Sequence, residues 1–116
     1  MASRYLFLIG IALLLSGAVA GCMSASIGTI SFENGNLFIT ATNDGQPVQA
    51  VLQVTISEIR DFTQTEIYKK ADFIQFASGT RQYQIPVDLT PGSYKVYVYI
   101  IVDGDSKARV VRDLVV

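Results

Sequence analysis

Residues 48–58, Val48-Gln49-Ala50-Val51-Leu52-Gln53-Val54-Thr55-Ile56-Ser57-Glu58, decide what kind of fold this chain adopts. Val48, Ala50, Leu52, Val54 and Ile56 recur at every second position, while Gln49, Gln53, Thr55 and Ser57 fall mostly on the alternate ones. Successive side chains of an extended strand point to opposite faces, so this spacing makes one apolar face and one wet face. Wound as a helix, the same residues would scatter valine and isoleucine around the axis, and β-branched side chains suit a pleated surface better. The segment reads as a half-buried strand.

Working outward, Asn34-Gly35, Asp44-Gly45, Ser78-Gly79, Pro91-Gly92 and Asp103-Gly104 punctuate the chain as turn signals. Between them the β-rich runs 27–33, 36–43, 48–58, 65–70, 72–76, 81–87, 93–103 and 107–116 are predicted strands, and no stretch of this region makes a convincing helix. Seven to eight antiparallel strands cover their apolar faces by pairing two sheets. The predicted fold is therefore all-β, one antiparallel β-sandwich over 27–116.

Leu89-Thr90-Pro91-Gly92-Ser93-Tyr94 resembles the L-x-P-G-x-Y corner of fibronectin type III and other immunoglobulin-like modules. That resemblance implies an immunoglobulin-like sandwich in which Leu89, Pro91, Gly92 and Tyr94 form a structural corner. Leu89 is seated in the core and the Tyr94 hydroxyl is bonded to nearby backbone. The cysteine pair and core tryptophan of antibody domains are lacking, since the chain has one cysteine and no tryptophan. Such a fold assigns no activity by itself.

Upstream the chain changes character. Arg4 precedes an apolar run from Tyr5 to Leu15, followed by the small-residue stretch Ser16-Gly17-Ala18-Val19-Ala20-Gly21 and then Cys22. This is the order of an export signal. Val19-Ala20-Gly21-Cys22 resembles a prokaryotic lipobox, which implies cleavage before Cys22, a diacylglyceryl thioether on its sulfur, and an extracytoplasmic domain anchored to the cell envelope. Two acyl chains suffice for stable anchoring, at roughly 0.8 kcal/mol per buried methylene. The expected organisation is a signal peptide or N-terminal transmembrane helix at 1–21, an anchor and tether at 22–26, and the sandwich at 27–116. Two alternatives stay open: an uncleaved apolar helix, as in archaeal pilins that join such a helix to an immunoglobulin-like domain, and plain secretion with cleavage at Ala20 or Ala25.

Composition excludes much chemistry. Nine Lys and Arg against ten Asp and Glu leave a net charge of −1, with no basic field for nucleic acid. Without histidine, and with Cys22 as the single cysteine, neither a Cys–His pair nor a Cys/His zinc site can be assembled. Asp103 and Asp105 are spaced as in some calcium loops, but the further ligands of an EF-hand are missing, and a tight hairpin explains Asp103-Gly104. Glu58, Asp61 and Glu66 lie among Arg60, Lys69 and Lys70, as on a solvated charged rim. The expectation is no catalytic residue, no metal site and no cofactor.

The run 93–103 is apolar on both faces: Val96, Val98, Ile100 and Val102 on one, Tyr97, Tyr99 and Ile101 on the other. Long neighbours such as Lys95 and Arg109 screen the second face, or it is a patch for a protein partner, or it packs against another copy. The sequence reading is thus a non-enzymatic cell-envelope lipoprotein with a binding or structural module. Its rival is a surface-filament or coat subunit assembled through the N-terminal segment or strand exchange at 107–116.

Overall fold

Strands β1 (Ala25–Glu33) and β2 (Asn36–Asn43) meet at a two-residue turn whose Asn34 and Gly35 take φ of 51° and 76°. Turns with both central residues left-handed follow the natural twist of a hairpin, and Asn-Gly adopts them readily. The computed structural model describes residues 24–116, and the leader at 1–21 and Cys22 lie outside them. The remaining strands are β3 (Val48–Arg60), β4 (Thr63–Phe76), β5 (Gly79–Pro86), β6 (Ser93–Val102) and β7 (Asp105–Val115).

They form two antiparallel sheets with orders β1-β2-β5 and β4-β3-β6-β7. The chain alternates between them. The β1–β2, β3–β4 and β6–β7 hairpins stay within a sheet, and the loops after β2, β4 and β5 cross to the other one. Leu37, Ile39, Ala41 and Ile85 from the first sheet share one buried cluster with Leu52, Val54, Ile56, Val96, Val98 and Ile100 from the second. Full burial of such a side chain contributes roughly 1.5–3 kcal/mol, so this shared layer is what holds the sheets together. The fold is all-β, two antiparallel sheets around a common core, an arrangement compatible with a β-sandwich. Among the described residues no helix is long and apolar enough to cross a membrane.

Beyond shifts of one or two residues at the ends of β3, β5, β6 and β7, expectation and structure differ in three places. The runs 65–70 and 72–76 are one continuous strand, β4, so the strands number seven. Lys69, Lys70 and Asp72 do not interrupt it, because β4 is an edge strand paired to β3 alone, where charged side chains reach water. The first strand opens at Ala25, not residue 27. Ala25 and Ser26, assigned above to the tether, pair with Asn43 and Thr42, and Ser24 accepts a bond from the Asp44 N–H at 2.9 Å. Finally, β3 and β4 join at Asp61 and Phe62, with φ of 51° and 65°, a turn made without glycine.

Two further loops are closed by side chains. Asn43 is buried; its amide nitrogen donates to the carbonyls of Gln46 and Phe76, each at 3.0 Å, and its oxygen accepts from the Gly45 N–H at 2.7 Å. This one residue ties the end of β2 to the end of β4 in the opposite sheet. At the β5–β6 crossing, Tyr94 is buried and its hydroxyl donates to the Thr90 carbonyl at 2.5 Å. Leu89 packs half-buried against the core, and a Cβ on Gly92 would lie 3.7 Å from the Tyr94 ring.

Candidate functional site

Strand parity sends Val96, Val98, Ile100 and Val102 of β6 into the core, which leaves Lys95, Tyr97, Tyr99 and Ile101 on the outer face of the four-stranded sheet. Pairing to β3 sets Tyr97 opposite Thr55, Tyr99 opposite Gln53 and Ile101 opposite Val51. Beyond β3, the edge strand β4 continues these rows with Lys69, Ala71 and Phe73. On the other side β7 adds Val111 beside Tyr97 and Arg109 beside Tyr99.

This face is graded. At one end Phe73, 86% exposed, stands in the same row as half-buried Val51 and Ile101. Those three border an open hollow of about 260 Å³ that reaches the β6–β7 turn. In that turn Asp103 and Gly104 take φ of 51° and 80°, so the Asp-Gly pair is a two-residue hairpin. Towards the other end the surface becomes polar around Tyr97 and Tyr99, where Gln53, Thr55 and Ser57 of β3 border a second depression of about 340 Å³. There Gln64 Nε2 donates to Tyr97 Oη at 2.6 Å across the width of β3. Lys95 pairs with Asp113 at 3.4 Å, beside these rows.

The three residues singled out from the sequence, Tyr97, Tyr99 and Ile101, are therefore neighbours on one face, each half-buried by its cross-strand partners. Sequence reasoning missed Phe73, Val51 and Val111. The first two could have been found by extending the alternation of 72–76 and 48–58, since Phe76 inward puts Phe73 outward, and Leu52 inward puts Val51 outward.

Elsewhere the chemistry is sparse. Glu58 and Arg60 form an exposed pair at 3.3 Å near the β3–β4 turn, and Lys70 and Asp72 another at 3.5 Å. Among the described residues no group of three acidic or cysteine side chains converges as metal ligands would. Tyr83 is different: its hydroxyl is buried without a partner among the described residues, near Phe76, with ring centroids 6.5 Å apart. Desolvation raises its pKa above the ordinary value, while the nearby Arg81 charge lowers it to a lesser degree.

No protein-family model and no curated protein sequence matches the chain. Solved structures do resemble it in fold. A structure described as a β-galactosidase from Bacteroides fragilis superposes with a TM-score of 0.54 at 20% identity over 80% of this chain, and a calcium-binding mutant of Bacteroides uniformis β-glucuronidase 2 with 0.51 at 19% over 80%. This chain spans 16% and 13% of those two proteins, so the likeness is to one segment of each and concerns the fold alone.

Proposed function

We propose that this chain is a non-enzymatic lipoprotein of the cell envelope, held at the extracytoplasmic face of a membrane by a lipid on Cys22, whose immunoglobulin-like sandwich binds a partner through the outer face of its four-stranded sheet. The lipobox-like residues Val19-Ala20-Gly21-Cys22 support the anchor. For the immunoglobulin-like assignment, the support is the sheet orders β1-β2-β5 and β4-β3-β6-β7 together with the Leu89–Tyr94 corner. The observation that carries the binding role is the row of Phe73, Val51 and Ile101 running into Tyr99 and Tyr97. An apolar and aromatic stripe crosses three adjacent strands, with its outermost phenylalanine left in water. Aromatic residues grouped this way mark interfaces more often than scattered ones do.

Hydroxyl-radical footprinting tests this role. Phe73, Tyr97 and Tyr99 are expected to be protected in intact native envelopes relative to the protein purified in detergent, and equal labelling in the two states would overturn it. The intact mass of the same purified protein tests the anchor: a chain starting at a diacylated Cys22 supports it, and a chain retaining 5–21 without lipid removes it.

A second reading, the subunit of a surface filament, draws on one observation: β7 is an edge strand, paired to β6 alone in its sheet. It predicts fibres of purified protein by negative-stain microscopy, where the lipoprotein reading predicts monomers or small oligomers.

A further inference from the structure

The polar depression beside Tyr97 and Tyr99 has a composition that narrows what it can hold. Its floor and walls come from uncharged hydrogen-bonding side chains: Gln53 and Gln64 offer an amide donor and acceptor each, and Thr55 and Ser57 offer hydroxyls that both donate and accept. Tyr97 and Tyr99 are two residues apart on one strand face, about 7 Å. Each brings an apolar ring with a polar tip. Glu66 and Lys69 line it as well, with opposite charges, and Arg109 beside Tyr99 is one further cation, short of the several that a nucleic acid or another polyanion needs.

Its position excludes a further mode. The depression lies on the face of the sheet, across β4, β3 and β6; a peptide adding as a strand would pair in the plane of the sheet beyond the outer edge of β4 and leave the depression uncovered. A lipid slot would need apolar walls, and these are amides and hydroxyls. What matches is a neutral molecule whose surface alternates hydroxyl groups with C–H patches. We infer that the depression is a saccharide-binding site taking a short stretch of an uncharged polysaccharide, its C–H faces against the two tyrosines and its hydroxyls on Gln53, Thr55, Ser57 and Gln64. The bond from Gln64 to the Tyr97 hydroxyl holds one tyrosine in place before ligand arrives, which lowers the ordering cost of binding. This assignment rests on the proposal that the outer sheet face is the binding face and names its ligand class.

The test is affinity electrophoresis of the full chain in a zwitterionic detergent without a sugar headgroup, in native gels cast with dextran, galactomannan, xyloglucan or arabinoxylan. At least one polysaccharide is expected to retard the protein, with apparent affinity falling tenfold or more in Tyr99→Ala and in Gln53→Ala. Gln82→Ala, an exposed residue of β5 in the other sheet, is expected to keep it. If Tyr99→Ala does not fold by circular dichroism, Gln53→Ala carries the test alone, since it removes a half-exposed polar side chain. No retardation in any of the four gels, or retardation that survives Gln53→Ala, overturns the saccharide assignment. Footprint protection in native envelopes without retardation leaves the binding face standing with another ligand, whereas absence of both removes the face as well.

Discussion

The hydroxyl of Tyr94 donates to the carbonyl oxygen of Thr90, four residues earlier, and so closes the crossing from one sheet to the other. The ring is buried in the core, and next to it the N–H groups of Gly92 and Val116 donate to each other's carbonyls at 3.0 and 2.9 Å. Tyr94→Phe keeps the packing and removes the bond. It is expected to cost about 1–2 kcal/mol, a fall of roughly 4–8 °C in Tm per kcal/mol, measured by calorimetry. Tyr99→Phe, on the outer face, is expected to move stability by less than about 0.5 kcal/mol.

Asn43 predicts a larger loss. Asn43→Ala strands the carbonyls of Gln46 and Phe76 and the N–H of Gly45 at once. About 2–3 kcal/mol is expected by urea denaturation, because a buried group left unsatisfied costs roughly 1–3 kcal/mol. Asn43→Asp keeps the acceptor for Gly45 but turns a carboxylate towards two carbonyl oxygens, so it should not rescue.

Phe62 is fully exposed and left-handed at the tip of the β3–β4 hairpin. A non-glycine residue there costs roughly 1–2 kcal/mol in backbone strain, partly offset by the greater freedom that glycine brings to the unfolded chain. Phe62→Gly makes an Asp-Gly turn and is expected to stabilise by about 0.5–1 kcal/mol, read as a higher urea midpoint with an unchanged slope.

Tyr83 predicts an alkaline weakness. Burial raises its pKa in the folded state, so the folded protein holds the phenolic proton more tightly than the unfolded one. The stability this represents is fully present below the ordinary phenol value, near 10, and is lost as pH rises through the raised one. Thermal unfolding followed from pH 8 to 11 should show a decline that is shallower in Tyr83→Phe. The substitution should cost nothing at pH 7, because the hydroxyl it removes has no partner among the described residues.

The alternation of β3 and β6 was legible because both strands lie mid-sheet with one face in the core, where burial enforces the period of two. β4 was not. At a sheet edge with most side chains exposed, nothing selects against Lys69-Lys70 in mid-strand, and the run reads as a break. The Asp61-Phe62 turn escaped for want of the glycine such turns favour, the backbone cost being met by pairing along β3 and β4. For the candidate site, the β6 residues could be read from one segment. The approach of Gln64 to Tyr97 could not, since two long-range strand pairings bring them together.

The alternation of the chain between sheets governs how the protein reaches its native state. Its three hairpins need only neighbouring residues to meet, so their closure is local and fast. The pairing of β2 with β5 joins Leu37 to Ile85, and that of β3 with β6 joins Val54 to Val98. Both require the chain to close long loops before any core contact repays the lost entropy, which places such topologies in the millisecond-to-second range of folding times. Until those two seams close, each hairpin shows its apolar face to water, and the rate of that search decides how long the nascent domain stays sticky.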